Sequence, residues 1–257
     1  MHVGVLMMLS SWIDPARSSL PQLLTASRIV FGAAAIVATI KGQFYISATL
    51  ITLGSVTDGI DGFVSRRLGV SSAFGAVFDY FADYLCFVVA TWILVRGLLS
   101  PNINLWLEVS IGFPLVFGAA RYARNSLIAT GQTKEVRDMP GLATVFFTFL
   151  PVAIIFLDLT EFLDQGTFRI TFALVVVVFS LLMVAPVRYP KLTKVPGLSP
   201  VVLTLLVLMP FLATRLLAAA MLPLGISYVL LAPLMTRRLE LDRMATFTEE
   251  DKQFTRV

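Results

Sequence analysis

Four aspartates, Asp58, Asp61, Asp79 and Asp83, stand inside stretches that are otherwise apolar. At membrane depth an ionised carboxylate costs about 2.5–3.5 kcal/mol on insertion scales, so an acid there marks function by default. Asp58 and Asp61 are three apart, and Asp79 and Asp83 four apart; on helices each pair shares one face. A short turn at about 66–72 joins the two segments as antiparallel neighbours, which brings both pairs to a similar depth. Facing one another, they form an all-oxygen cage suited to a hard divalent cation such as Mg²⁺ or Mn²⁺. Helix capping, or pairing with Arg66 and Arg67, would account for one or two of these carboxylates but not four. A proton or cation transporter, the alternative from a different class, predicts acids spread through the membrane thickness, whereas these cluster at one end.

The neighbouring residues narrow the chemistry. Gly62 follows Asp61 directly and Gly75 precedes Asp79 by one turn; glycine lets a bulky ligand approach the backbone. Arg66 falls on the helix face of Asp58 and Asp61. A cation beside a divalent metal is awkward unless an anionic ligand bridges them, and metal, arginine and glycine together are what a diphosphate requires. The single histidine, His2, and single cysteine, Cys86, exclude a His/Cys zinc site, a disulfide scaffold and a triad built on an internal histidine.

The elements that must position these residues are membrane helices. Of 257 residues, 57% are apolar and 14% charged, against about a quarter charged in a soluble domain. Mean hydropathy is +0.85. Runs long enough to span a bilayer fall at about 23–40, 44–64, 74–99, 105–129, 141–159, 168–186, 199–221 and 223–236, the last of these short. Arg17, Arg28, Arg66, Arg67, Arg121, Arg124, Lys134, Arg137, Arg188, Lys191, Lys194, Arg237, Arg238, Arg243, Lys252 and Arg256 fall on one side, leaving Lys41, Arg96 and Arg169 on the other and Arg215 within the seventh run. The basic side is cytoplasmic, so eight spans put both termini and the aspartate ends in the cytoplasm. The net charge of +4 therefore belongs to membrane-flanking loops and not to a nucleic-acid surface. Residues 1–20 read as a helix lying along the cytoplasmic interface with Trp12 as its anchor, and 237–257 as a polar cytoplasmic tail.

Residues 58–83, DGIDGFVSRRLGVSSAFGAVFDYFAD, resemble the signature of the CDP-alcohol phosphatidyltransferases, Asp-x2-Asp-Gly-x2-Ala-Arg-x8-Gly-x3-Asp-x3-Asp. Asp58, Asp61, Gly62, Arg66, Gly75, Asp79 and Asp83 match with every spacing kept; Ser65 stands where the family has Ala. The resemblance implies an all-α integral membrane protein of the cell inner membrane with a six-helix catalytic core over 21–195; the last two apolar runs add two further helices over 196–236, compatible with it. It implies that Asp58, Asp61, Asp79 and Asp83 hold two Mg²⁺ or Mn²⁺ ions against the diphosphate of a CDP-diacylglycerol-type lipid, whose chains are diacyl ester or archaeal ether. It implies that Asp83 is the general base, and that Gly62, Ser65, Arg66 and Gly75 lie against the CDP-lipid. The opening Pro21-Gln22-Leu23-Leu24-Thr25-Ala26-Ser27-Arg28 is similar to the family's Pro-Asn-x-x-Thr-x-x-Arg, with Gln22 for Asn, and places Thr25 and Arg28 near the nucleotide. Homodimers are common in the family.

The signature does not name the acceptor alcohol. Arg121-Tyr122-Ala123-Arg124-Asn125, Pro140-Gly141-Leu142 and the Leu181–Lys194 stretch LLMVAPVRYPKLTK are similar in order and content to segments of the family's phosphatidylserine synthases, with Ala143 in place of Pro and Ala185 in place of Ser. That likeness favours L-serine, with Arg121 and Arg124 as partners for its carboxylate. Glycerol 3-phosphate or inositol phosphate remains open, as does a role for both arginines as lipid-facing anchors.

Overall fold

The computed structural model describes residues 2–69, 72–100, 103–130, 141–158, 165–187 and 189, together with 215, 218–219, 222–223 and 225–231. No strand occurs among them. The helices are α1 (His2–Ile40), α2 (Phe44–Leu68), α3 (Ala73–Asp83), a π-helical turn (Tyr84–Ala90), α4 (Thr91–Leu99), α5 (Leu105–Ala129), α6 (Thr144–Phe156) and α7 (Gln165–Val184). Among the described residues, three stretches are long and apolar enough to cross a membrane: Ser19–Ile40, Ala73–Leu99 and Gly166–Val184. Helices α2 and α5 are 25 residues each, but Asp58, Asp61, Arg66 and Arg67 on one and Glu108, Arg121 and Arg124 on the other lower their hydropathy. The outer surface is apolar: Leu23, Val30, Ile170 and Leu174 are each more than 60% exposed. In water such a surface would be a liability; in lipid it faces a matching solvent.

Helices α1 and α2 form the antiparallel pair that carries one wall of the site. Gly42, at φ 73°, turns the chain between them, and Gly42 N–H donates to the Thr39 carbonyl at 2.9 Å. The expected interfacial segment 1–20 is helical from His2 and runs into the first span without a break. The third span is three pieces in line, with the π turn beginning at the residue after Asp83. Close approach of backbones fixes it there: a Cβ added to Gly54 would lie 2.5 Å from Cys86 Sγ, and one added to Gly32 would lie 3.0 Å from Cys86 Cα. Larger residues at 32 or 54 would push the π turn away from α1 and α2.

Among the described residues three buried clusters hold the bundle, the smallest of them Leu142, Phe146, Tyr189 and Val229. Ala35, Ala48, Ile51, Leu94, Val152 and Phe156 join α1, α2, α4 and α6, and Ala218 of the C-terminal segment packs with them. Val95, Ile111, Phe147, Phe172 and Met183 join α4, α5, α6 and α7. The span expected over 141–159 is shorter as a helix, Thr144–Phe156, because Gly141 at φ 93° and Asp158 at φ 52° turn the chain at its two ends. Arg215, expected within the seventh run, ion-pairs with Asp158 just past the end of α6. Most of the runs 199–221 and 223–236, and the tail 237–257, lie outside the described residues.

Candidate active site

The turn between α2 and α3 sets the depth of the carboxylates. Gly69 ends α2 in the left-handed conformation, φ 66°, donating its N–H to the Ser65 carbonyl. Ser72 then caps α3, its Oγ accepting from Gly75 N–H at 2.9 Å. These two caps return the chain so that Asp58 and Asp61 of α2 face Asp79 and Asp83 of α3. One carboxylate oxygen from each of Asp58, Asp61 and Asp79 lies within 4.8 Å of the others.

The cation among them is Arg28 of α1. Its side chain is fully buried, and Nη1 lies 3.0 Å from Asp58 Oδ1 and 2.9 Å from Asp79 Oδ1. The same guanidinium hydrogen-bonds to Asp83 through Nη1 and to Asp61 through Nη2. Its Cζ lies 6.0 Å from the centroid of the buried Phe87 ring, so the floor of the cage is apolar. Thr25, one turn before Arg28, donates from Oγ1 to the Pro21 carbonyl at 3.0 Å and to Asp61 Oδ2 at 3.2 Å. The first-helix residues expected near the nucleotide thus touch the carboxylates themselves. Arg66 belongs to α2, but its side chain lies outside the described residues.

A cavity of about 410 Å³ opens beside the cage, within the range of small-molecule sites. Helix α1 contributes Pro21, Gln22 and Thr25, α2 contributes Asp61, Gly62 and Ser65, and the turn and α3 contribute the rest, including Gly75 and Asp79. Gln22, which stands for the family's Asn, and Ala76 line the cavity as well. Ser65, the departure from Ala, sits in this wall and turns its hydroxyl to the Gly62 carbonyl at 3.3 Å.

The donor set fits hard divalent cations. Every donor is a carboxylate oxygen. Asp79 Oδ1 is buried without a hydrogen bond, although Arg28 Nη1 approaches it as an ion pair. One guanidinium cannot balance four ionised carboxylates, whereas two divalent ions would do so and leave net positive charge for an anionic ligand.

On the far side of Asp83, Arg121 and Arg124 of α5 reach the end of α7. Arg121 Nη1 donates to the Met183 carbonyl at 3.3 Å and Arg124 Nη1 to the Val184 carbonyl at 3.4 Å. Leu142 N–H donates to the Leu182 carbonyl at 2.9 Å, and Gly141 N–H to the Val187 carbonyl at 2.7 Å. Three of the last carbonyls of α7, unpaired in any isolated helix, are thereby satisfied by two cations and the Leu142 amide, while Gly141 ties down the chain just past the helix end. Arg121 is buried and close enough to Asp83 to interact with it electrostatically. It also lies against Gly141, where a Cβ would collide with the Met183 carbonyl and come 3.0 Å from Arg121 Nη1. Tyr122, buried beside it, hydrogen-bonds to Thr144 and packs against Tyr80 and Tyr84.

A sequence model of the CDP-alcohol phosphatidyltransferase family matches residues 18–184. The chain is 31% identical over 176 residues to the CDP-diacylglycerol–serine O-phosphatidyltransferase of Helicobacter pylori, covering 68% of this chain and 73% of that one. It is 26% identical over 179 residues to the archaetidylserine synthase of Methanothermobacter thermautotrophicus, covering 67% and 70%. To the CDP-diacylglycerol–glycerol-3-phosphate 3-phosphatidyltransferase of Pseudomonas fluorescens it is 35% identical over 83 residues, covering 31% and 40%.

Proposed function

The chain belongs to the CDP-alcohol phosphatidyltransferase family, a transferase family of phospholipid biosynthesis, and on that premise we propose that it moves the phosphatidyl group of a CDP-diacylglycerol-type lipid to L-serine, releasing CMP. The observation that carries the choice of acceptor is the pair Arg121 and Arg124, set at the end of α7 on the far side of Asp83. An amino acid offers a hydroxyl to attack and a carboxylate for a guanidinium fork to hold. The extent of similarity supports the same choice, since the serine transferases align over about two thirds of the chain and the glycerol-phosphate transferase over 31%. Carboxylates gathered at one end of α2 and α3, in a chain of this family, leave the transporter alternative without support.

In this reading Asp58, Asp61, Asp79 and Asp83 hold two divalent cations, Mg²⁺ or Mn²⁺. When bound, such ions neutralise the diphosphate and stabilise the departing phosphate charge. The cavity walled by Gln22, Thr25, Gly62, Ser65 and Gly75 takes the CDP moiety. Asp83 lies between Arg28 and Arg121, at the boundary of cage and acceptor side, and takes the proton from the serine hydroxyl. Arg28 ties α1 to the cage and holds the carboxylate oxygens in one place. The site faces the cytoplasm, with both termini on that side.

Supplying purified protein, CDP-diacylglycerol and Mn²⁺ or Mg²⁺ with labelled serine, glycerol 3-phosphate and inositol phosphate in parallel tests the acceptor. Phosphatidylserine as the sole product supports the reading. Product from a phosphorylated alcohol and none from serine would reassign Arg121 and Arg124 to a phosphate.

A further inference from the structure

Asn125 is 2% exposed, and its Oδ1 is buried with no hydrogen-bond partner. It lies one turn beyond Arg121 on the inward face of α5, the face that also carries Ile111, Pro114 and Gly118. A buried amide oxygen without a donor destabilises a fold, and each such group calls for an explanation. Packing supplies none, because a leucine of similar size would fill the space without that cost.

We propose that Asn125 accepts a hydrogen bond from the ammonium group of the acceptor, and that with Arg121 it forms a reader for a zwitterionic amino alcohol; this rests on the serine reading above. Arg121 and Arg124 attract a carboxylate but repel an ammonium. An amino acid bound against them therefore needs an acceptor oxygen close by for its N–H groups. A carboxamide oxygen supplies one without adding a charge that would pair with the arginines and block them. The chemistry also selects among acceptors: a phosphate or carboxylate presents only acceptor atoms to Asn125 Oδ1, whereas an ammonium presents only donors. The serine hydroxyl proton is taken by Asp83, so the ammonium is the donor left for Asn125.

The test uses Asn125→Leu and Asn125→Ala in the full-length protein. A hydrogen bond to a charged group lost from a buried site should raise the KM for serine about 10–100-fold. The KM for CDP-diacylglycerol should stay near the wild-type value, and the thermal midpoint of Asn125→Leu should equal or exceed the wild type. Two inhibitors separate the groups read. Ethanolamine keeps the ammonium and should inhibit the variants less well than wild type; 3-hydroxypropanoate lacks the ammonium and should inhibit all three alike. An unchanged serine KM in both variants overturns the proposal. So does a loss confined to Asn125→Leu, which would be steric, or an equal loss of 3-hydroxypropanoate inhibition, which would make Asn125 a carboxylate or shape contact. Failure of the wild type to use serine is seen before any variant is made and overturns the acceptor reading itself.

Discussion

Arg28 and Asp83, 55 residues apart in the chain, form a hydrogen-bonded ion pair at the base of the carboxylate cage. The pair joins the first helix to the residue immediately before the π turn, and through the same guanidinium to Asp58, Asp61 and Asp79. Removing the cation would leave four carboxylates facing one another, with Asp61 and Asp83 largely buried. Breaking a buried pair from one side costs about 3–5 kcal/mol, so Arg28→Gln should lower the thermal midpoint of the detergent-solubilised protein. Added Mg²⁺ or Mn²⁺ should raise that midpoint more in the variant than in the wild type. Equal midpoints without metal would mean that the cage does not depend on Arg28.

Asp83→Asn separates base from ligand. Asparagine keeps the size and one oxygen but cannot take a proton at neutral pH. The substitution should cut kcat by roughly 10²–10⁴, the scale of general-base catalysis, with a smaller effect on CDP-lipid binding. Asp58→Asn and Asp61→Asn should weaken binding of the metal and of the CDP-lipid as well as the rate. Near-normal turnover by Asp83→Asn would detach this carboxylate from proton transfer.

Gly141→Ala strains the acceptor side alone. The residue is at φ 93°, and a Cβ would strike the Met183 carbonyl and crowd Arg121. Strain of this kind costs about 1–3 kcal/mol. Serine KM should rise in the variant while the KM for CDP-diacylglycerol moves much less. Parallel increases in both constants would place the damage in the whole bundle.

Orientation can be read by cysteine labelling, because the native Cys86 is buried. Ser72 and Gln43 are exposed at opposite ends of α2 and its flanking turns. Ser72→Cys should react only with a reagent that reaches the cytoplasm, and Gln43→Cys with an impermeant reagent added outside. The reverse pattern would overturn the cytoplasmic placement of the cage.

The sequence disclosed the cage more fully than its support. Asp58, Asp61, Asp79 and Asp83 were legible because three- and four-residue spacing on helices fixes a shared face, and the short turn fixes their depth. The contact of Arg28 with all four was not legible. It depends on how α1 is rotated against α2 and α3, which is set by the approach of Gly32 and Gly54 to Cys86. The π turn after Asp83 was also hidden, since one extra residue in a helical turn is decided by packing and not by apolar periodicity. Arg121 and Arg124 were found as cations near the membrane edge, but their hydrogen bonds to the end of α7 join residues about 60 apart. Asn125 stood in the Arg121–Asn125 run that resembles the family's phosphatidylserine synthases, but its unpaired oxygen is visible only once its surroundings are built.

The most direct measurement follows CMP release by the purified protein reconstituted with CDP-diacylglycerol. Release should require both a divalent cation and serine, should match phosphatidylserine formed one for one, should stop with EDTA and should return when Mg²⁺ or Mn²⁺ is restored. CMP release that continues in metal-free buffer, or that serine does not stimulate, would contradict a metal-dependent transfer to serine at Asp58, Asp61, Asp79 and Asp83.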